Sequence, residues 1–439
     1  MDVLIKIRDW SWGLPTLTWI LGSGIYLTCL TGGVQIRMLP LAFREFYQKL
    51  KQKPPGLRDL CTALAATVGT GNIIGVAGAI CVGGPGAIFW MWISAFLGMA
   101  VKFGEVTLAL CFRRKVAGEY RGGPMYAIQW GMGGQFRFLA ICYSAFGVLA
   151  CLGMGTSAQI SAVVESLRGS LEGFEIPFSG DLGILLGIGL AGITGYVMVG
   201  GGKRIGRMAE MLVPAASVIY VLLCAGMLIF RAKALPNAFR MIFAGVFRPR
   251  AITGGMVGSS FATLRVGCSR GIFSNEAGMG TAAIAHASAE VRTPAEQGRM
   301  GLMEVFLDTM VICTMTALAI LTSGVPIPYG REDGGFLTGA ALASLYGKWS
   351  GPVLSGCIAL FAFATVLGWG LYGLRCWEFF FHGKYKKLFL FLQLLAIVLT
   401  GFVQGETVWV FSEIVNAWMA IPNLIALAAL SPVLKRECK

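Results

Sequence analysis

The sequence predicts an all-α, polytopic membrane protein with about eleven transmembrane helices, arranged as two sets of five spans after one extra N-terminal span. Three observations lead there. Of the 439 residues, 56% are hydrophobic and only 13% are charged, whereas a soluble globular chain runs near 25% charged. Apolar stretches of about eighteen residues or more, each able to cross roughly 30 Å of hydrocarbon, recur along the whole length. Two of them, ALAATVGTGNIIGVAGAI at 63–80 and GCSRGIFSNEAGMGTAAIAHA at 267–287, are interrupted by glycines and polar residues. Each falls at the first span of one set of five.

Taken in order, the first span is expected at 12–36, after Lys6 and Arg8. It has the look of a secretory leader, but its length and the want of a small-residue cleavage site favour a retained helix. With the loop up to residue 56 it makes the first division, 1–56. The second, 57–230, holds spans at 57–80, 86–111, 138–166, 181–199 and 207–230. A long external connection covers 231–250, and 251–439 holds spans at 251–286, 299–322, 350–381, 387–403 and 407–430 followed by a cytoplasmic tail. An odd number of spans per half reverses the second half in the membrane, so a repeat between them is inverted. Residue identity between the halves is slight, and the expectation rests on the matched place of the two breaks. Five-plus-five architectures of this kind occur among secondary transporters.

The net charge of +14 invites a nucleic-acid partner, but the placement of the charges argues for none. Basic residues lie in the gaps between spans: from Arg37 to Arg58, at Arg113, Arg114 and Lys115, at Lys203, Arg204 and Arg207, at Lys384, Lys386 and Lys387, and in the terminal KRECK. With alternating spans all five clusters fall on one side, and the positive-inside rule makes that side cytoplasmic. The expectation is a plasma-membrane protein, of a bacterial inner membrane, with its N-terminus outside and its C-terminus inside. The basic connection 231–250, placed outside, is the exception.

Other residue types narrow the function. Twelve cysteines sit singly, Cys61, Cys81, Cys142, Cys224 and Cys313 among them, and without a CxxC pair they read as reduced, small core residues. Two histidines, His286 and His382, with no HExxH and no GxSxG, argue against an intramembrane enzyme. No GxxxxGK[ST] is present to cradle phosphates for an ATP-driven pump. A channel would want rings of carbonyls or charges, and paired breaks within one chain fit alternating access better. No organic cofactor and no protein partner is implied; the lipid bilayer is the surrounding solvent.

The first break, TVGTGN, removes side chains at Gly69 and Gly71 and supplies neutral oxygens at Thr67, Thr70 and Asn72. Several glycines together favour unwinding, since each costs about 1 kcal/mol against alanine inside a helix. Unwound backbone in a membrane is tolerated where it is buried or lines a cavity. Carbonyls freed at the end of one half-helix can hold a cation, and amides opening the next can hold a carboxylate. Close helix packing is the alternative for Gly75 and Gly78. In the second break, SRGIFSNEAGMG, Glu276 stands beside Ser274 and Asn275 in an apolar span. Such a carboxylate must be paired, with Arg265 or Arg270 as sequence neighbours, and it serves as a ligand contact, a structural ion pair or a gate. Glu105, Glu304 and Asp308 pose the same question; Glu304 and Asp308, four apart, are expected on one helix face, one protonated beside the other, which leaves a proton-coupled mechanism open.

The strings TALAATVGTGNIIGVA, GGPGAIFWMWISAFLGMAVKFGE, GEYRGGPMY, GGGKRIGRMAEMLVP, RGIFSNEAGMGTAAIAHA, LDTMVICTMTALAI and FAFATVLGW, spread over residues 57–376, closely resemble the alanine or glycine:cation symporter family. The resemblance implies a leucine-transporter-like inverted-repeat fold with one extra N-terminal helix, and sodium-coupled import of small neutral amino acids, alanine or glycine. It places a co-transported sodium ion among the backbone carbonyls of Ala65, Val68 and Ala362 and the hydroxyl of Thr365, all oxygen donors as a hard cation requires. It places the amino acid against Thr70, Gly71, Asn72, Gln159, Thr365 and the indole of Trp369, with Phe273 and Met279 in the wall. Gln159, alone in an apolar span, also fits independently as donor and acceptor for an amino acid; the alternative is an interhelical hydrogen bond worth about 1 kcal/mol. Glu276, Arg270 and Asp308 are assigned as gating or coupling charges.

Some residues depart from that family's pattern. Val366 follows Thr365 where the wider fold places a second hydroxyl, and Ser161 stands where an asparagine is common. Gly370 and Leu374 occupy a stretch that is commonly more polar and carries a carboxylate, which puts an inner-gate ion pair in doubt although Arg375 remains. The competing expectations are the same scaffold coupled to protons, or carrying another small amino acid such as serine.

Overall fold

In the computed structural model, which describes residues 2–52, 55–116, 118–176, 180–331, 335–400 and 405–438, nearly the whole chain is helical. Helix α1 (Asp2–Ser11) leads into α2 (Leu14–Leu30), and α3 (Leu39–Gln52) is amphipathic. The first break separates α4 (Pro55–Thr67) from α5 (Ile74–Gly83). Helix α6 (Gly86–Cys111) is followed by a hairpin of β1 (Arg114–Val116) and β2 (Glu119–Arg121), antiparallel with Lys115 opposite Tyr120. Helices α7 (Arg137–Leu152) and α8 (Ala158–Glu172) are joined through a π-helical turn at Gly153–Ser157. Then come α9 (Gly180–Val199), α10 (Gly201–Phe230) and α11 (Leu235–Phe247).

The second break separates α12 (Ser260–Asn275) from α13 (Thr281–His286). Helix α14 (Pro294–Val305) continues through a π segment, Phe306–Cys313, into α15 (Thr314–Thr322). Then follow α16 (Gly335–Tyr346), α17 (Ser350–Phe380), α18 (Lys386–Leu399) and α19 (Gly405–Ala429), and a short helix, Ser431–Glu437, comes last. Local chemistry sets several starts. Ser259 accepts from the Ala262 amide to cap α12, and Thr293 accepts from the Glu296 amide ahead of Pro294 to cap α14.

Helix α6 is the centre of the bundle. Its neighbours reach it through glycine: a Cβ at Gly267 of α12 would lie 2.3 Å from the Ala87 carbonyl, and one at Gly298 of α14 would lie 2.3 Å from Thr107 Oγ1. Small residues at such crossings let backbones approach where no hydrophobic drive separates helix from lipid. The outward faces of α9 and α10 carry Leu185, Ile188, Ile193, Val218 and Leu222 exposed, as a lipid-facing surface requires.

Among the described residues, seven continuous helical stretches are long and apolar enough to cross a bilayer, and the pair Leu60–Thr67 and Thr70–Gly83, bent by 55°, makes an eighth. Three of the expected eleven spans, 181–199, 251–286 and 387–403, are missing from this count, the first because it counts as an apolar helix only over Gly183–Val199. The 251–286 span is not one helix, because α12 stops at Asn275 and six further residues form α13. Helix α18 has 14 residues, about 21 Å at 1.5 Å per residue; residues 401–403 of its expected span, residues 53 and 54 of the first basic cluster, and Lys439 lie outside the described residues. The connection 231–250 is not a plain loop, since it holds the amphipathic α11. Helix α16 was not anticipated at all.

Candidate functional site

The first break is built by its own side chain. Gly69 is extended, Thr70–Asn72 form a 3-10 turn, and Asn72 Oδ1 accepts the Gly69 amide at 2.9 Å. Thr316 Oγ1, from α15, donates to the Asn72 carbonyl at 2.8 Å. Thr70 and Asn72 are fully buried, and the polar groups of the unwound stretch are answered by neighbouring helices rather than by lipid.

Two neighbours meet this break from opposite sides. From α17, Thr365 Oγ1 donates to the Ala65 carbonyl at 3.0 Å. Gly69 makes room for that approach, because a Cβ there would lie 2.7 Å from Thr365 Oγ1. From α8, Gln159 Oε1 accepts the Thr70 hydroxyl at 2.9 Å while its Nε2 donates to the Met154 carbonyl at 3.2 Å. The ring of Phe273 faces Gly71, 3.9 Å from where a Cβ would sit. Ala65, Val68, Ala362 and Thr365 are all buried. The structure therefore brings Ala65, Thr70, Gly71, Asn72, Gln159, Phe273 and Thr365 around one point.

Asn72 has other commitments. Its Nδ2 donates to Asp308 Oδ1 at 2.6 Å, and the second oxygen of Asp308 accepts Ser274 Oγ and Thr309 Oγ1, both at 2.8 Å. Cys313 Sγ lies 3.3 Å from both Asn72 Nδ2 and Ser274 Oγ. Asp308 thus joins the first break to the end of α12.

The second break begins where Glu276 turns left-handed at φ 55° and ends α12, and Asn275 Oδ1 accepts the Ala277 amide at 3.0 Å. Glu276 Oε1 accepts the indole N–H of Trp369 at 2.9 Å, and its Oε2 accepts Thr281 Oγ1 at 2.6 Å. This corrects the pairing with arginine expected from the sequence. Arg270 bonds Glu413 of α19 at 2.9 Å and shares a pocket with Arg8, Asp9 and Arg265, because five residues of helix turn it away from the break. Met279 is buried behind this turn, where its carbonyl accepts the Tyr143 hydroxyl at 3.0 Å.

Glu304 and Asp308 both face the first break, through Thr67 and Asn72, yet each carboxylate has its own set of donors. Glu304 accepts the Thr67 hydroxyl and faces His286 Nε2 at 3.2 Å, with Lys102 Nζ at 3.5 Å. Gln297 Nε2 donates to His286 Nδ1 at 2.6 Å. Thr67 ends α4 and His286 ends α13, so one carboxylate ties the half-helices of both breaks. Lys102 and Gln297 are not singled out by the sequence, and His286 enters there only as an argument against an enzyme; a lysine inside the apolar 86–111 stretch is the available signal. Glu105 has a different part, its Oε1 accepting the Gly278 and Gly280 amides at 2.9 and 3.0 Å and Asn423 Nδ2 at 2.7 Å. It satisfies backbone donors that the second break sets free.

The ion pair doubted at the end of α17 exists with different members. Arg375 bonds Glu378 at 2.9 Å and Glu119 of β2 at 2.8 Å, so the carboxylates come from one turn further on and from the hairpin. Neither Gly370 nor Leu374 has to supply one.

The chain is similar to known proteins over its whole length. The pattern of the family described as "Sodium:alanine symporter family" matches residues 1–439. The sodium/alanine symporter AgcS of Methanococcus maripaludis is 36% identical over 449 residues, covering 100% of this chain and 96% of the relative. The probable sodium/glutamine symporter GlnT of Bacillus subtilis is 36% identical over 433 residues, covering 97% of this chain and 87% of the relative. The crystal structure of MhsT in complex with L-phenylalanine superposes with a TM-score of 0.62 at 15% identity, covering 85% of this chain and 88% of that one, a likeness of fold.

Proposed function

Because the chain belongs to the sodium:alanine symporter family, we propose that it couples sodium entry to the import of small neutral amino acids, alanine or glycine, by alternating access. The observation that carries the reading is the bond from Thr365 Oγ1 to the Ala65 carbonyl across Gly69. It sets two oxygen donors from different helices at one spot, and the carbonyls of Val68 and Ala362 complete a neutral oxygen set suited to a hard cation. The amino acid lies beside it, against Thr70, Gly71, Asn72 and Gln159. Phe273, Met279 and Trp369 close the pocket around a methyl-sized side chain, so size exclusion sets the preference for alanine or glycine.

In this reading residues 57–230 and 251–439 act as two inverted halves, and α2 is the added N-terminal span. The basic loops face the cytoplasm, with the N-terminus outside. Opening and closing move the half-helices, with Glu276 and Asp308 as the charges that join them to α17 and to the first break. The MhsT-like fold supports the architecture, and AgcS, a sodium/alanine symporter by name, supports the coupling ion and the substrate.

The test is uptake of labelled alanine into proteoliposomes with and without an inward sodium gradient, with glycine, serine and glutamine as competitors. Sodium-driven uptake displaced by unlabelled alanine or glycine supports the reading. Uptake indifferent to sodium removes the coupling, and displacement by glutamine alone removes the substrate.

A further inference from the structure

We propose that the pocket between the β1–β2 hairpin and the adjoining ends of α7 and α17 binds an anionic phospholipid. The pocket has a volume of 440 Å³ and is lined by Arg114, Arg121, Arg137, Trp130, Phe379 and Glu378, among others. Its one carboxylate is already answered several times over: Glu378 meets Arg121 at 3.0 Å, Arg375 at 2.9 Å and Lys386 at 2.5 Å. Arg375 also meets Glu119. Counting Arg114, Arg121, Arg137, Arg375 and Lys386 against Glu119 and Glu378, five cations face two anions, an excess of three.

Three of the five, Arg114, Arg121 and Arg137, line the cavity. Among the described residues, Arg114 and Arg137 meet no carboxylate; Arg114 sits over the Trp130 ring at 5.6 Å and Arg137 approaches His382 Nε2 at 3.4 Å. Arg121 is only 8% exposed, and its buried Nε has no acceptor. A buried guanidinium N–H without an acceptor is costly, and a phosphate oxygen supplies one. Arginine suits phosphate because its planar donors match the oxygens of the anion.

The lower wall decides the rest of the ligand. Trp130 stacks on Tyr126 at 5.1 Å, and Phe379 meets Tyr126 edge-on at 5.4 Å. Phe380 also lines the pocket and is exposed, at the end of the bundle that bears the basic loops. A molecule anionic at one end and apolar at the other fits both halves, and basic pockets between helices at the membrane face bind such headgroups. A bound phospholipid holds the hairpin against α17, the helix that carries Thr365 and Trp369. The inference does not rest on the substrate or the coupling ion proposed above.

The experiment is native mass spectrometry of the delipidated full-length protein with phosphatidylglycerol, phosphatidylcholine or glycerol 3-phosphate, followed by thermal unfolding in each. Retention of phosphatidylglycerol over phosphatidylcholine, weakened about thirty-fold in Arg114→Gln/Arg137→Gln and unchanged in Lys203→Gln/Arg207→Gln, is the expected result. The first pair spares the Glu378 contacts, and the second removes equal charge elsewhere on the basic loops. Equal retention of phosphatidylcholine, an unaffected Arg114→Gln/Arg137→Gln protein, or equal loss in both variants overturns the site. Protection by glycerol 3-phosphate as strong as by the lipid overturns the lipid assignment in favour of a soluble anion.

Discussion

The indole N–H of Trp369 is given to Glu276, 2.9 Å away, across the gap between α17 and the second break. The same carboxylate accepts Thr281 Oγ1 at the start of α13, so it spans its own break while gripping another helix. Gly155 lets the π turn between α7 and α8 close on the other side of the tryptophan, where a Cβ would lie 2.3 Å from Trp369 Cβ. Trp369 is held by a bond at its edge and by backbone near its stem. Its position and that of the second break are therefore one variable.

Glu276→Gln tests this. An amide keeps the shape but accepts at only one end: with its oxygen on the Trp369 indole N–H, its NH₂ donates to Thr281 Oγ1 and the threonine hydroxyl hydrogen loses its acceptor. A buried donor without a partner costs about 1–3 kcal/mol. The expected outcome is a tenfold or larger fall in amino-acid uptake with a monodisperse protein in detergent. Uptake at the parent rate would show that the carboxylate only fills space.

The two breaks could be located in the sequence because glycine and polar residues interrupt apolar runs, a signal that needs no partner to be read. What the breaks touch could not. Arg270 lies nearer to Glu276 along the chain than Trp369 does, yet the helix turns it toward Glu413, and a tryptophan 93 residues away takes its place. Lys102, His286 and Glu304 each occupy an ordinary position on its own helix; only packing around α6 makes them neighbours. The oxygens of Ala65 and Thr365 were reached through family resemblance rather than spacing, since a backbone carbonyl leaves no mark in sequence. Helix ends were similarly hidden, because Ser259 and Thr293 announce their caps while the π turns at Gly153–Ser157 and Phe306–Cys313 follow from packing.

Thr365→Ala and Thr365→Ser separate a cation ligand from a packing residue. Alanine removes the oxygen that meets the Ala65 carbonyl, whereas serine retains it and drops only a methyl group. The half-saturating sodium concentration for alanine uptake is expected to rise at least about tenfold in the alanine variant, equivalent to about 1.4 kcal/mol, and to move little in the serine variant. Equal shifts in both would assign Thr365 to packing.

Gly69→Ala asks whether the close approach is required. The added Cβ would stand 2.7 Å from Thr365 Oγ1, on a short side chain tied to the Ala65 carbonyl, whereas Gln159 Oε1 at 3.6 Å is in ordinary contact. Sodium-dependent uptake is expected to be lost while the protein still reaches the membrane. Normal sodium dependence would mean that α17 moves aside without consequence for the ion.

Gln159→Ala removes the acceptor for Thr70 and the donor to the Met154 carbonyl. Weaker alanine binding, with an unchanged thermal midpoint within a few degrees, is expected from isothermal titration and a thermal scan of the purified protein. A midpoint that falls while affinity holds would return Gln159 to the role of an interhelical bond.

The cluster at Glu304 gives the sharpest stability test. Lys102 Nζ lies 3.5 Å from Glu304 Oε1, both side chains are fully buried, and Nζ has no hydrogen-bond acceptor among the described residues. The lysine thus depends on that carboxylate, and removing one member of a buried pair costs about 3–5 kcal/mol because the other charge is left uncompensated. Glu304→Gln also weakens the hold on Thr67 and His286, the residues that end α4 and α13. Lys102→Met leaves Glu304 with Thr67 and His286, so its penalty is expected to be smaller. In the double variant the orphaned ammonium is gone. Its loss of unfolding free energy in detergent should fall short of the sum of the single losses by 1 kcal/mol or more, within the range measured for directly coupled pairs of about 0.5–3 kcal/mol. Additive losses would show that Lys102 and Glu304 do not compensate each other, and would leave Thr67 and His286 as the only reason for Glu304 to be there.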